Sequence, residues 1–244
     1  IDSPRIDKKN ELVYTSTIVA LASKYPIKNL KKVEIDFSAL KKHHLNGFFK
    51  FAREPIKATI TLPNQKELDI YVCHLKSNRD NEFEYVFTKD ATLNEKKEKV
   101  KKALEEDYSK SLKQRLCEAS SIFSDIKRTS NPAILMTDLN DKEFSITIEA
   151  LSNKKYHDET FKKDDYLMLD AYHYFEKKVY NPHPEQKEIK RTPTSYFAGK
   201  GNVLDYIFVS NLFDKNKKNN IGKITSYEVF DKHLQKNQNG SLLN

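Results

Sequence analysis

The stretch Asn131–Asp141, NPAILMTDLND, runs from an apolar segment directly into an acid, an amide and a second acid. A continuous apolar run bounded by turn residues predicts an interior β-strand. Because side chains alternate along a strand, one face carries Ile134, Met136, Asp138 and Asn140. We therefore expect a carboxylate and a carboxamide at the end of a core strand, on the face that packs inward. Unpaired polar groups are costly to bury, so this pattern indicates either a binding site or the ordinary turn chemistry of Asp and Asn.

Two other predicted strands also end in a polar group. The alternating runs Ile56–Leu62 and Leu68–Leu75, joined by the turn sequence PNQK, predict a β-hairpin, and His74 ends the apolar face of the second run. The strand predicted over Asn202–Ser210 carries Asp205 among apolar side chains on its own face. Taken singly, such a His is more often a satisfied core residue, and such an Asp often pairs with an arginine. Three of them at strand ends indicate one shared site, because buried polar groups need partners.

The remaining elements are predicted from periodicity and turn residues. A helix is expected over Leu93–Lys127, where apolar residues recur at spacings of three and four in its second half. We also expect strands over Leu12–Ala22, Val33–Phe37 and Gly47–Phe51, a short helix over Phe144–Leu151, an element of undetermined type over Tyr166–Phe175, and a loop at Pro182 and Pro184. No internal repeat or linker divides the chain, so residues 1–244 are predicted to form a single domain.

Composition limits the classes of protein that this chain can belong to. Of the 244 residues 38% are hydrophobic and 11% aromatic, which is enough for a globular core and too many for a disordered chain. A formal net charge of +8 favours a polyanionic partner such as nucleic acid, although the lysines are spread in pairs among glutamates. No apolar run reaches the roughly 20 residues of a membrane span, so no transmembrane segment is expected. Cys73 and Cys117 lack the spacing of metal ligands and are predicted to be small buried hydrophobic residues.

Five segments, in consecutive order over Val19–Ser210, resemble the endonuclease/exonuclease/phosphatase superfamily, which has the deoxyribonuclease I-like fold. They are VALASKYPI, FAREPIKATI followed by LDIYVCHLKS, SLKQRLCEASSI, ILMTDLND, and TSYFAGKGNVLDYIFVS. The resemblance implies an α/β fold, a four-layer sandwich in which two mainly antiparallel sheets lie face to face with helices outside. Within the superfamily the chain is most similar to nucleases of the bacterial kind.

The resemblance also implies a reaction and the residues that carry it out. The reaction is hydrolysis of a phosphoester by in-line attack of water, with Mg²⁺, or Mn²⁺ or Ca²⁺, neutralising the phosphoryl oxygens. Asp138 matches the residue that positions the water or assists the leaving oxygen, and Asn140 and His74 match groups that hydrogen-bond the phosphate. Asp205 matches the acid that orients a base His. Metal contacts are expected at Asp138 and Asn140. Substrate neighbours are expected at Ser77, Arg79 and Tyr196.

The chain departs from the superfamily pattern in several places. Thr137 and Leu139 replace the usual Gly and Phe, which leaves the acid and the amide in place. The first strands of the superfamily, with a metal-binding Glu, and its terminal Ser-Asp-His have no counterpart in these residues. We therefore expect the segment to be incomplete at both ends and, alone, to be inactive and marginally soluble. Arg115, on the predicted helix, is either a substrate neighbour or a member of a surface ion pair, and the surface ion pair is the preferred interpretation.

The leading function from the sequence is a metal-dependent phosphodiesterase acting on DNA or RNA, working as a monomer, either secreted or cytoplasmic. The same fold hosts other activities, so a phospholipid or sphingomyelin phosphodiesterase or a phosphatase stays an alternative. The chain has no Trp and lacks the Trp-Cys-Asp-Arg signature of inositol phosphatases, which disfavours phosphoinositides. A third alternative, from another class, is a non-catalytic nucleic-acid-binding scaffold that has lost its metal ligand.

Overall fold

A computed structural model describes residues 17–45, 47–78, 85–105, 108–158, 165–175, 191–197 and 200–231. Within these residues six strands form one sheet in the order β1-β2-β3-β4-β8-β5, and β6 pairs with β7 in a second, two-stranded sheet. The strands are β1 Ile27–Lys32, β2 Ile56–Thr61, β3 Glu67–His74, β4 Ala133–Asp138, β5 Met168–Asp170, β6 Ser195–Phe197, β7 Lys200–Asn202 and β8 Asp205–Ser210. The helices are α1 Phe37–Lys42, α2 Leu93–Glu105, α3 Lys110–Arg128, α4 Ile146–Ser152 and α5 Ala171–Tyr174.

The large sheet is mainly antiparallel. The predicted hairpin is confirmed: β2 and β3 are antiparallel, with Ile56 opposite Val72 and Thr61 opposite Glu67. Strand β4 lies parallel to β3, and the connection between them contains α2 and α3, since a parallel pair needs a long crossover. Strand β8 then pairs antiparallel with β4. The predicted α/β class, with mainly antiparallel strands flanked by helices, is confirmed. Of the predicted four-layer sandwich, the described residues show the six-stranded sheet, the helices and a second sheet of two strands.

Helices α2, α3 and α4 cover one face of this sheet and enclose the main core. Leu116 and Ile122 of α3 pack in the same cluster as Tyr71 of β3 and Leu135 of β4, and all four are completely buried. The N-terminus of α3 is capped by Ser109, whose hydroxyl accepts the backbone N–H of Leu112 at 3.1 Å. The predicted helix over Leu93–Lys127 is correct in type but is two helices. Cys73 and Cys117 are both free and buried, as predicted.

Two predicted strands are wrong. Residues 33–36 have no regular structure and lead into α1, and residues 47–51 are irregular. The Asp36 side chain accepts the backbone N–H of Ser38 at 2.9 Å, so a helix cap, rather than a strand, follows the apolar residues there. Of the predicted strand Leu12–Ala22, residues 17–22 are not in a strand, and the rest lies outside the described residues, as do Pro182 and Pro184.

Two other segments are now defined. The short helix predicted over Phe144–Leu151 is confirmed as α4, which begins two residues later and is capped by the Ser145 hydroxyl. The segment Tyr166–Phe175, of undetermined type from the sequence, contains β5 and α5. None of the helices in the described part of the chain is both long enough and apolar enough to span a lipid bilayer.

The two faces of β4 differ in burial, and the difference corrects the expectation about Asp138. Leu135 and Leu139 face the helices and are completely buried, whereas Asp138 and Met136 lie on the other face and are only half-buried. On that other face a smaller cluster forms around Ile70, packed by side chains that include Leu21, Tyr25 and Phe213. The helix-covered face is therefore the inward one, and the polar strand end lies opposite to it.

Strand β1 forms one edge of the sheet, and every residue of it is exposed. Its pairing with β2 shifts register between Lys28 and Lys31, where Asn29 has a φ of 49°. Asn tolerates this left-handed conformation better than most residues. The edge is therefore bulged and carries lysines.

A buried ion pair joins α2 to α4. The Lys96 ammonium lies 2.6 Å from the Glu149 carboxylate, and their side chains are 5% and 6% exposed. The second Glu149 oxygen accepts the Asn153 amide at 2.7 Å. Every polar atom of this carboxylate is thus paired, which a buried charge requires.

His43 is expected to make the fold sensitive to acid. Its ring is buried, with Nε2 3.4 Å from both the Ser120 hydroxyl and the Tyr156 hydroxyl. Burial, and then the charge of Lys42, lower the pKa of His43 to about 3. The unfolded chain, with a His pKa of about 6.5, therefore binds a proton that the folded chain does not. The free energy of unfolding should therefore fall as the pH drops below the pKa of the unfolded chain. The expected loss is about 2 kcal/mol between about pH 7 and about pH 5.

The measurement is urea unfolding at several pH values for the parent protein, His43→Gln and His44→Asn. His44 is exposed and serves as the matched control. We expect His43→Gln to flatten the acid limb of the profile and His44→Asn to leave it unchanged. An identical acid limb in the parent and the His43→Gln variant would show that other groups cause the loss.

Candidate active site

The sheet register brings three predicted site residues side by side. His74, the last residue of β3, pairs with Asp138, the last residue of β4. Asp138 in turn pairs with Asp205, the first residue of β8. Asn140 follows β4 by two residues. These four groups, predicted from three separate segments of the sequence, therefore meet at one end of the large sheet.

His74 and Asp138 are in direct contact, with Nε2 of His74 3.2 Å from a carboxylate oxygen of Asp138. Burial lowers the pKa of His74, and the nearby Arg53 guanidinium lowers it further, while Asp205 opposes the shift. The pKa of Asp138 is raised by burial, against the backbone N–H of Asn140 and the charge of Arg53. The two side chains are therefore in close contact at the ends of adjacent strands, in a partly buried environment that disfavours the charged form of each.

Asn140 is held by its backbone and by its side chain. Its φ of 50° lies in the left-handed region, where Asn is enriched. This conformation lets its backbone N–H donate to the second Asp138 oxygen at 2.9 Å. Its side-chain amide donates to the Leu75 carbonyl at 3.0 Å. Asn140 thus fixes the carboxylate of Asp138 and also ties the end of β4 to the end of β3.

Asp205 is held by Thr194, a residue that the sequence did not single out. The Thr194 hydroxyl oxygen accepts the backbone N–H groups of both Leu204 and Asp205 at 3.0 Å. Burial raises the pKa of the Asp205 carboxyl; a hydrogen bond with Thr194 lowers it, Asp138 raises it, and His74 lowers it. The charge of Asp138 therefore makes Asp205 harder to ionise. A positive group or a proton near these two carboxyl groups would be stabilised.

Arg53 is a second residue of the candidate site that the sequence analysis did not single out. Its guanidinium donates to the Leu75 carbonyl at 3.0 Å and lies 3.5 Å from the Ser77 hydroxyl. Its charge acts on both His74 and Asp138. The signal was present in the hairpin register: with Ile56 opposite Val72, the residues before β2 must lie beside the end of β3. A guanidinium there offers the bidentate geometry that phosphate groups bind.

The other predicted substrate neighbours have different places. Ser77 is at the site, beside Arg53. Tyr196 lies on β6, and its hydroxyl donates to Asp231 at 2.9 Å. Arg79 lies outside the described residues. The interpretation of Arg115 as a surface ion pair is wrong, because Arg115 is 1% exposed. It was misjudged because one arginine on an amphipathic helix gives no sign of which face it occupies.

The metal site predicted at Asp138 and Asn140 is not complete in the described part of the chain. Among those residues no three His, Cys, Asp or Glu side chains come together as metal ligands. One oxygen of Asp138 accepts the Asn140 backbone N–H, and the other lies 3.2 Å from Nε2 of His74. The carboxylates of Asp138 and Asp205 are hard oxygen ligands of the type that Mg²⁺ binds, but by themselves they do not form a site for it.

No protein-family model and no curated protein sequence matches the chain. Several solved structures are similar to it. One is the human Nocturnin catalytic domain with a bound sulfate anion, at 13% identity over 77% of this chain and 49% of that one, with a TM-score of 0.42. Another is an endonuclease/exonuclease/phosphatase family protein from Bacteroides thetaiotaomicron, at 13% identity over 68% and 45% and a TM-score of 0.34. A β-hairpin deletion mutant of Staphylococcus aureus beta toxin matches at 13% identity over 72% and 50%, with a TM-score of 0.36.

The chain therefore spans about half the length of the solved structures that it matches. With TM-scores of 0.34 to 0.42, these similarities add nothing to the strand order and helix placement given above.

Proposed function

We propose that the protein is a phosphodiester hydrolase of the endonuclease/exonuclease/phosphatase type and that residues 1–244 belong to a single domain of that type. The observation that carries the proposal is the meeting of His74, Asp138 and Asp205 at adjacent strand ends. An arginine and an amide, Arg53 and Asn140, lie beside them. Hydrogen-bond donors that can bind an anion and carboxylates that can orient water thus lie together at partly exposed strand ends. This combination suits hydrolysis of an anionic substrate.

In the proposed reaction, a water oxygen forms a bond to phosphorus while the ester P–O bond opposite to it breaks. The departing oxygen takes up a proton. Arg53, His74 and the Asn140 amide hydrogen-bond the phosphate oxygens, where negative charge develops. Asp138, fixed by the backbone N–H of Asn140, orients the water or assists the leaving oxygen. The attacking water gives its proton to a histidine base, which the resemblance places in a terminal Ser-Asp-His without a counterpart in residues 1–244. Asp205, whose backbone N–H is held by Thr194, is proposed to orient that histidine.

Nucleic acid is the substrate that we propose, because the formal net charge of +8 favours a polyanion. Sphingomyelin, other phospholipids and phosphate monoesters are the alternative substrates. A divalent cation, Mg²⁺ or Mn²⁺, is proposed to assist, since phosphoryl oxygens need a positive partner during attack. The described residues do not complete a site for this cation.

The test is hydrolysis by the full-length protein of plasmid DNA, single-stranded RNA, sphingomyelin and p-nitrophenyl phosphate, each with Mg²⁺, with Mn²⁺ and with excess EDTA. We expect cleavage of DNA or RNA that is lost in EDTA. Cleavage of sphingomyelin or the monoester alone would replace the proposed substrate. Nucleic-acid binding without cleavage of any of the four substrates would favour the scaffold alternative. Cleavage that survives EDTA would show that the reaction does not need a divalent cation.

A further inference from the structure

The loops that carry the candidate site rest on one buried carboxylate of α3. Glu118 is 1% exposed, and its two oxygens accept hydrogen bonds from two distant parts of the chain. One oxygen accepts the backbone N–H of Ala52 at 2.7 Å. The other accepts the backbone N–H of Lys76 at 2.6 Å. Neither of these donors belongs to the helix that provides the carboxylate, so Glu118 joins two separate loops.

These two loops hold the phosphate-binding groups of the proposed site. Ala52 immediately precedes Arg53, and Lys76 follows His74 by two residues. The Leu75 carbonyl between them accepts from Arg53 and from Asn140, both at 3.0 Å. The spacing between the guanidinium and the imidazole therefore depends on where the backbones of these loops are fixed.

The neighbours of Glu118 on α3 support the same arrangement. Gln114, one turn earlier, donates to the Glu118 carboxylate at 3.1 Å and to the Lys50 carbonyl at 3.3 Å. Arg115 donates to the Lys76 carbonyl at 3.2 Å and lies 3.4 Å from Asp141, just beyond Asn140. The peptide groups on both sides of Lys76 are thus held by α3.

We propose that Glu118 is a positioning residue that sets the distance between Arg53 and the His74 loop for binding of the substrate phosphate. This inference rests on the proposed function, since it gives Arg53 the task of binding phosphate. The chemistry requires a carboxylate, because only a carboxylate can accept a backbone N–H at each of its two ends. A side-chain amide would turn an N–H donor toward one of those N–H groups and release that loop.

The test is the isosteric substitution Glu118→Gln in the full-length protein. The first measurement is hydrogen exchange at the amides of Ala52 and Lys76, at least one of which should lose protection. The second is hydrolysis of bis(p-nitrophenyl) phosphate, for which we expect kcat/KM to fall roughly 10- to 100-fold, since a small misplacement of a binding group has effects of that size. If Glu118 acts through Arg53, adding Glu118→Gln to the Arg53→Ala variant should lower kcat/KM no further.

The matched control is Asp125→Asn, which alters another buried carboxylate of α3. Asp125 accepts the Tyr71 hydroxyl at 2.8 Å and pairs with Lys57, within the sheet rather than at the strand ends. We expect this variant to lower stability without changing kcat/KM or the exchange of the two loop amides. An equal loss of kcat/KM in Asp125→Asn, or a loss from Glu118→Gln that persists without the arginine, would show a purely structural role and overturn the proposal.

A protein that hydrolyses no phosphodiester would overturn the proposed function and still allow the role of Glu118 to be decided. Inorganic phosphate then serves as the probe, and its Kd is measured for the parent protein, Glu118→Gln, Arg53→Ala and the double variant. Weaker phosphate binding in Glu118→Gln, absent when Arg53 is already replaced, supports the positioning role. Unchanged phosphate binding together with unchanged amide exchange contradicts it.

Discussion

Asp138→Asn in the full-length protein should reduce phosphodiester hydrolysis by about 10² to 10⁴-fold, the usual effect of removing one catalytic group. The substitution keeps the shape of the side chain and removes its charge. The carboxamide can still contact His74 and the Asn140 backbone. It has no negative charge, however, and so cannot orient the attacking water as the carboxylate does. The decrease should appear in kcat, because the proposed role is in the chemical step.

The same variant should be at least as stable as the parent protein, and this separates a catalytic role from a structural one. Burial raises the pKa of Asp138, so the folded state disfavours its charged form at neutral pH. Removing the charge then removes an unfavourable interaction. Asp158→Asn, at a carboxylate whose side chain is 76% exposed, is the control and should retain activity. Full activity in Asp138→Asn, or a large drop in its melting temperature, would contradict the assigned role.

Lys96→Met should be the most destabilising single substitution of a charged residue among those considered, at about 3–5 kcal/mol. The methionine fills nearly the same volume, so packing is not the reason for the loss. The loss arises because Glu149 is left buried without its cation, and the neutral donors that remain, the Asn153 amide and the Tyr166 hydroxyl, do not replace that charge. Chemical denaturation at constant pH measures it directly.

An exposed pair with nearly the same geometry provides the control. Lys155 and Asp165 are also in close contact, at 2.7 Å, but their side chains are 61% and 40% exposed. Lys155→Met should therefore change stability by about 1 kcal/mol or less. The double variant Lys96→Met/Glu149→Gln should recover part of the loss, because the uncompensated charge is gone. Equal effects of Lys96→Met and Lys155→Met would show that burial does not decide the strength of these pairs.

The parts of the fold that followed from the sequence are those with strong local patterns. The hairpin of β2 and β3 was predictable because two alternating runs flank a short turn, and β4 because an apolar run ends at Asp138. Their alternation also predicted that His74, Asp138 and Asp205 lie together, because each ends or begins a strand on the face that carries the polar group. The failures at residues 33–36 and 47–51 have a common cause, since short apolar segments carry too little periodicity to distinguish a strand from a loop that leads into a helix.

The parts of the candidate site that the sequence did not reveal depend on tertiary contacts. Glu118 and Arg115 lie in a helix rich in charged residues, and nothing in their spacing distinguishes a buried carboxylate from a solvated one. Thr194 can accept the backbone N–H groups of Leu204 and Asp205 only because the chain folds back beside them. Arg53 is an intermediate case, because the register of the hairpin places it near Leu75 once the turn is fixed.

The exposed strand β1 bears on how the protein behaves when it is concentrated. A free sheet edge can serve as a template for a strand from another copy, which is a common start of aggregation. Two copies meeting along β1 would bring Lys28, Lys31 and Lys32 of one against the same residues of the other, and the irregular backbone at Asn29 would interrupt the new row of hydrogen bonds. Self-association through this edge is therefore disfavoured, despite the exposed side chains of Ile27 and Leu30. Replacing the three lysines with uncharged residues would leave those apolar side chains as the main feature of the edge.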